Sequence, residues 1–214
     1  MERITWYFDF ISPYAYLQST RLFDLSLQAE IEYVPLLFAG LLNHWGQKGP
    51  AEIPSKKKFT FHQCIWRAQR DEIPFRTPPQ HPFNPLRALR LCIALGNKLE
   101  HIQTIFRCIW VEGNLPDNND GWKAIQKALN VDDADECVAD PLIKAALVEN
   151  GKNAISTGIF GVPSFRVGKE VFWGDDCGDM VKDYIANPGI LEHEDIKRIE
   201  TLKGSAARSQ PKFH

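Results

Sequence analysis

None of the five cysteines stands in a Cys-x-x-Cys spacing, and no run of about 18 apolar residues occurs in the 214-residue chain. The first absence removes dithiol redox chemistry. With the odd number and irregular gaps at positions 64, 92, 108, 137 and 177, it also argues against a disulfide framework or a zinc site. The second absence removes a membrane-spanning helix, and no signal-peptide core follows Glu2 and Arg3, so a reducing cytoplasm is the expected compartment. Charge of one sign is scarce as well: the net charge is −2, and Lys56-Lys57-Lys58 is the only basic run. That balance speaks against nucleic acid or an anionic membrane as partner. The six histidines form no i,i+4 pair and no His-Glu-x-x-His, so no metal is expected. Gly-x-Ser-x-Gly, the P-loop, Gly-x-Gly-x-x-Gly and internal repeats are also missing.

What the chain does have is a core-forming composition, 44% hydrophobic, and a β-α-β start. Residues 3–10 read as a strand, Pro13 sits where a first helical turn accepts proline, and apolar spacing predicts a helix to about residue 28. Ile31–Phe38 reads as a second strand, and Pro35 makes it an edge or a strand end. Residues 39–55, with three glycines and two prolines, read as loop. Five helices are then predicted without an intervening strand, at 59–71, 85–95, 100–111, 121–129 and 140–151, with Asn84 and Asp140 as caps. A turn at 158–163 leads to strands at 164–167 and 170–173 and a helix over 177–187. The expected fold class is α/β, a thioredoxin-like core from 1–55 and 156–188 with an all-helical insertion over 56–155. Residues 189–214 form an extension, weakly helical over 190–202 and disordered over 203–214. Cys64, Cys92 and Cys108 read as small buried residues, and Trp45, Trp66 and Trp110 as core.

Three places could carry chemistry. Ser12-Pro13 follows the first strand. Its serine is a good helix cap, and the same hydroxyl and helix-start amides would stabilise a thiolate. Val162-Pro163 precedes the third strand. A cis bond there would leave the Val162 main chain free to pair with an extended peptide. Asp175-Asp176 precedes the last helix and serves either as its cap or, through Asp176, as acceptor for an ammonium group. Residues 81–85, His-Pro-Phe-Asn-Pro, read as a rigid helix entry or a pocket wall.

The segments Phe8–Tyr16, Trp45–Pro50, His81–Ala88, Gly161–Phe165 and Trp173–Asp176 together make the chain resemble the 2-hydroxychromene-2-carboxylate isomerases and kappa-class glutathione transferases of the DsbA-like thioredoxin branch. The resemblance spans residues 3 to about 188. It implies glutathione as cofactor, with its sulfur at catalytic Ser12, its backbone on Val162 and Pro163, and its γ-glutamyl end at Asp175 and Asp176. Gln47 stands where kappa-class relatives place a glutathione-touching asparagine. Asp175 replaces a serine, and its charge opposes the γ-glutamyl carboxylate, which argues for its facing away. Lys56 or Lys58 falls near a basic position that faces the ligand. The implied activity is a glutathione-dependent isomerisation in which the thiolate adds reversibly to an aromatic-pathway acid. The alternatives are a kappa-like transferase or peroxidase, and a non-catalytic thiol-binding module of the same fold. The expected partners are glutathione, a small aromatic acid and a second copy of the chain in a homodimer.

Overall fold

A mixed four-stranded sheet, in the order β2-β1-β3-β4, organises the chain. The computed structural model describes residues 2–199 and 201–206. Strand β1 (Glu2–Phe8) pairs parallel with β2 (Ala29–Pro35) and antiparallel with β3 (Ser164–Val167), which pairs antiparallel with β4 (Glu170–Trp173). Helices cover both faces of central β1, which is why Ile4, Trp6, Tyr7 and Phe8 form a nearly continuous apolar run. Strand β2 is one of the two edge strands and ends at Pro35, where proline's missing N–H does no harm.

Between β1 and β2 lie α1 (Pro13–Ser19) and α2 (Leu22–Ser26). The single helix expected to residue 28 is thus two. Ser19 Oγ and Thr20 Oγ1 donate to the carbonyls of Tyr16 and Leu17, and the Arg21 N–H turns back to Gln18. This side-chain competition with the helix ladder ends α1.

From β2 to β3 the described elements are helical: α3 (Phe38–Trp45), α4 (Pro54–Arg70), α5 (Leu86–Ala94), α6 (Leu99–Trp110), α7 (Asn119–Leu129), α8 (Ala134–Ala139) and α9 (Pro141–Ser156). Helix α3 lies in the stretch read as loop. Its first N–H, on Phe38, is accepted at 2.8 Å by Asp9 Oδ2, and Gly46 closes it in the left-handed conformation at φ 62°. The α8 helix was also unforeseen; Ala134 and Val138 anchor it in the core. After β4, a 3₁₀ turn (Asp175–Cys177) enters α10 (Gly178–Ala186). Another 3₁₀ turn (Pro188–Leu191) and α11 (Glu194–Ile199) follow. Residues 203–206 carry no helix or strand, and the remainder of the expected disordered tail, 207–214, lies outside the described residues.

One sheet face packs Trp6, Phe8 and Phe165 against α1, α5 and α6. Trp6 stacks on Phe8 at 4.5 Å, and Phe106 lies 4.8 Å from Phe10. The other face packs Tyr7 and Val171 against Leu41 of α3 and Ala154 of α9. Each large apolar side chain so buried contributes about 1.5–3 kcal/mol. Cys64, Cys92 and Cys108 are fully buried, as read from the sequence. Among the tryptophans, Trp110 is core, but Trp45 and Trp66 are exposed, contrary to expectation.

Candidate functional site

The chain leaving β1 is pinned residue by residue. Asp9 is fully buried, and its Oδ1 accepts the Ile11 N–H at 3.1 Å. The Phe10 carbonyl accepts the Trp110 indole N–H at 2.9 Å, and the Ile11 carbonyl accepts from His81 Nε2 at 3.0 Å. The Ser12 N–H returns to the Asp9 carbonyl at 3.1 Å. Ser12 therefore arrives with extended backbone (ψ 115°) as the N-cap of α1, its Oγ accepting the Ala15 N–H at 3.2 Å. That bond uses an Oγ lone pair and leaves the hydroxyl proton free to donate.

Burial has electrical consequences around this turn. It pushes the Asp9 carboxyl up to about 7, against the pull of its main-chain hydrogen bonds. It lowers His81, helped by the nearby Lys57 charge, and the His81 Nδ1 is buried without a hydrogen-bond partner. Tyr14, which donates to Gln63 Oε1 at 2.6 Å, is pushed up to about 12 and stays protonated.

The antiparallel register places Ser164 opposite Tyr7. The segment entering β3 and the turn leaving β1 consequently meet at one end of the sheet. The Val162-Pro163 bond is cis. The ladder starts at Ser164, whose Oγ donates to the Gly161 carbonyl at 2.8 Å, and the Pro163 carbonyl accepts from the Gly174 N–H at 3.0 Å. Val162 buries its side chain, while its main-chain groups have no main-chain partner among the described residues.

The third segment, Gly174–Cys177, is tied to α1 by Gln18. The Trp6 indole donates to Gln18 Oε1 at 2.6 Å, and Gln18 Nε2 donates to the Gly174 carbonyl at 2.9 Å. Gly174 has φ 103°, a conformation that favours glycine. The two aspartates then part company. Asp176 is exposed. The Asp175 carboxylate is buried between Arg21, which bonds Oδ1, and Arg67, whose Nη1 is 2.8 Å from Oδ2. Burial pushes the Asp175 carboxyl up, and the two guanidiniums pull it back. The Asp175 carboxylate is thus committed to two arginines, and its main chain remains to be offered.

The other expected residues are placed as follows. Gln47 is exposed just past α3, two residues from Trp45, whose indole donates to the Ile159 carbonyl at 3.0 Å. Lys56 and Lys58 are both exposed on α4. It is Lys57, between them, that turns inward and bonds the His81 carbonyl. Two thiols come near, Cys64 and Cys177, and burial pushes each up to about 12. Burial thus disfavours a thiolate from either.

Sequence reasoning missed Asp9, Lys57, Gln18, Arg21 and Arg67 as parts of this site, whereas His81 lies in the segment read as a helix entry or a pocket wall. Lys57 carried a signal: it shares the inward phase of α4 with Phe61, Cys64 and Ala68. The arginines carried none, because Arg21 and Arg67 meet Asp175 from far away in sequence.

Comparison with known proteins agrees with this fold. The model of the DSBA-like thioredoxin domain family matches residues 3–186. The chain is 27% identical over 207 residues to glutathione S-transferase kappa 2 of Caenorhabditis elegans, covering 86% of this chain and 92% of that protein. It is 27% identical over 191 residues to 2-hydroxychromene-2-carboxylate isomerase of Sphingobium xenophagum, covering 86% and 98%. Among solved structures, a selenomethionine 2-hydroxychromene-2-carboxylate isomerase superposes with a TM-score of 0.75 at 22% identity, covering 91% of this chain and 98% of that one.

Proposed function

Because the chain belongs to the DSBA-like thioredoxin domain family, we propose that it is a glutathione-dependent isomerase of the 2-hydroxychromene-2-carboxylate type. One observation carries the reading. A serine with a free hydroxyl proton and an unpaired Val162 main chain lie at one end of the sheet, where both nearby protein thiols are held protonated. Such a site suits a peptide that brings its own thiol. The relatives named as isomerase and kappa-class transferase support the same class.

Glutathione, when bound, supplies the nucleophilic sulfur. The Ser12 hydroxyl donates a hydrogen bond to that sulfur and favours its ionised form. The Val162 main chain pairs with the tripeptide as an added strand would. Exposed Asp176 accepts from the γ-glutamyl ammonium, and the Asp175 main chain faces the carboxylate beside it. Gln47 reaches the peptide from the end of α3. Asp9, His81 and Trp110 keep the turn from yielding, so that Ser12 meets the sulfur without reorganisation. Ala15 stands three residues after Ser12, so the turn has no second sulfur with which to close a disulfide. The overall reaction is reversible opening of the hemiketal ring of an aromatic acid and rotation to the trans-benzylidenepyruvate. The kappa-class relative favours a transferase as the second reading.

Calorimetric titration with reduced glutathione, followed by NMR of 2-hydroxychromene-2-carboxylate with substoichiometric glutathione, tests both. The isomerase reading expects micromolar binding, many turnovers per glutathione and full recovery of free thiol. Stoichiometric loss of thiol identifies the transferase. Absence of binding at millimolar glutathione removes both.

A further inference from the structure

Helix α4 belongs to the helical insertion, yet its inward side bonds to the segments on either side of Ser12 and to the loop that carries Asp176. Near its start, Lys57 bonds the His81 carbonyl, and His81 Nε2 in turn donates to the Ile11 carbonyl at 3.0 Å, one residue before Ser12. At its middle, Gln63 Oε1 accepts the Tyr14 hydroxyl at 2.6 Å, two residues after Ser12. Near its end, Arg67 Nη1 lies 2.8 Å from Asp175 Oδ2, one residue before Asp176. All three side chains lie on or beside the stripe that Phe61, Cys64 and Ala68 turn inward.

These contacts differ from ion pairs in open solvent. The Arg67 side chain is 11% exposed and its carboxylate partner 1%. A bond in that setting has a defined geometry, and breaking it strands a buried charge. The backbone between the contacts is one uninterrupted helix of 17 residues, Pro54–Arg70. From Lys57 to Arg67 it rises about 15 Å, at about 1.5 Å per residue. A helix cannot change that length without breaking its hydrogen-bond ladder, so contacts at its two ends hold the turn and the loop at one separation. Helix α1 links them as well, from its Ser12 cap to Gln18, but α1 is itself part of the turn to be held.

We propose that Lys57, Gln63 and Arg67 are positioning residues, and that α4 is the strut that fixes the Ser12 turn against the Asp176 loop. They act through His81, Tyr14 and Asp175. The consequence for binding rests on the glutathione reading above: a thiol peptide meets its sulfur contact and its ammonium contact as one prearranged pair. The strut itself is a property of the protein without ligand, and is tested there first.

Amide hydrogen exchange of the full chain is followed by mass spectrometry at residues 9–12 and 174–177, with α6 as internal reference. Lys57→Met removes the bond at the turn end, and Arg67→Met the bond at the loop end. Each is expected to speed exchange about tenfold in both segments and in α4, with α6 within about twofold of native. Lys57→Arg and Arg67→Lys, which keep a donor at each end, are expected to restore native rates at the far segment. Loosening confined to the segment beside the substituted residue overturns the proposal. Loosening of both segments while α4 keeps native rates also overturns it and gives the coupling to α1. If a methionine variant does not fold, Tyr14→Phe, which deletes only the bond to Gln63, is read in the same way, and native exchange at 174–177 overturns the proposal. Calorimetry with reduced glutathione then reads the binding consequence. Each methionine variant is expected to lose about tenfold in affinity, and the double variant to stay within about threefold of the weaker single one, because the second cut meets a strut already slack. Losses that multiply to about a hundredfold, or native affinity in both single variants, overturn the positioning role. Native protein that binds no glutathione while its variants loosen both segments keeps the strut and removes the glutathione reading.

Discussion

Asp9 and His81 grip opposite ends of Ile11: Asp9 Oδ1 accepts its N–H at 3.1 Å, and His81 Nε2 donates to its carbonyl at 3.0 Å. Both groups titrate, and burial moves both toward their neutral forms. The residue before Ser12 is thus fixed by two groups whose pH dependences have opposite sign.

Asp9 holds a proton in the folded protein up to about pH 7 and in the unfolded chain only to the ordinary carboxyl value of 3.8. Between those values the folded state binds more protons, so this group makes stability fall as pH rises. The full effect is on the order of 4 kcal/mol. Asp9→Asn cannot titrate and keeps one of the two acceptor bonds. The stability gap between native protein and variant is expected to shrink from pH 5 to pH 8 in urea unfolding at fixed ionic strength. A constant gap would show that the carboxylate is ionised throughout.

His81 is displaced the other way. Its folded value lies below the ordinary imidazole value of 6.5, so between the two the unfolded chain binds more protons and stability rises with pH. Protonation would also add an N–H at Nδ1, which is buried without a partner. His81→Gln can still donate to Ile11 and does not titrate. It is expected to remove the acid-side loss of stability below about pH 6.5. An unchanged acid limb would locate that loss elsewhere.

Neighbouring aspartates should answer substitution in opposite ways. Asp175→Ala leaves Arg21 and Arg67 facing each other and is expected to cost about 2–3 kcal/mol in urea unfolding. That is less than for a fully buried pair, because Arg21 is 41% exposed. Asp176→Ala is expected to change stability by less than about 0.5 kcal/mol. It should weaken glutathione by about 1.5–3 kcal/mol, with little effect on an analogue lacking the α-amino group. Equal losses for both ligands would show that Asp176 does not meet the α-amino group.

Ser12→Ala removes a cap and a donor together. The cap is worth about 1 kcal/mol of stability, read from the urea midpoint. The donor is read separately, from the ultraviolet titration of bound glutathione, whose thiol pKa is expected to rise while turnover falls more than binding does. An unmoved titration would leave Ser12 as a cap alone.

Features written into a few adjacent residues were readable beforehand. The Ser12 cap needs only Ser-Pro and a helical spacing, and the third and fourth strands needed only Gly168-Lys169 between two apolar runs. The cis bond at Val162-Pro163 was raised by its place before a strand. Features closed by distant residues were not readable. Helix α3 begins on the carboxyl group of distant Asp9, while the glycines and prolines of 39–55 suggested loop. Asp175 looked like part of a ligand pocket because both arginines that claim it lie elsewhere in the chain. Trp45 looked like core because size and hydrophobicity cannot say whether a ring at the end of a helix is covered.

Gln18 shows how the direction of hydrogen bonds can fix a residue's identity where volume cannot. Its oxygen receives the Trp6 indole N–H, so its nitrogen must point at the Gly174 carbonyl. The amide works as an adaptor with a fixed polarity, a donor entering at one end and a donor leaving at the other. Glutamate has the same shape and wrong polarity. It would set oxygen against the Gly174 oxygen and cut the loop bearing Asp176 loose from the indole at the centre of the sheet. One buried amide, 3% exposed, thus carries information from the protein's interior to its binding edge in a form that only glutamine's two unlike ends can transmit.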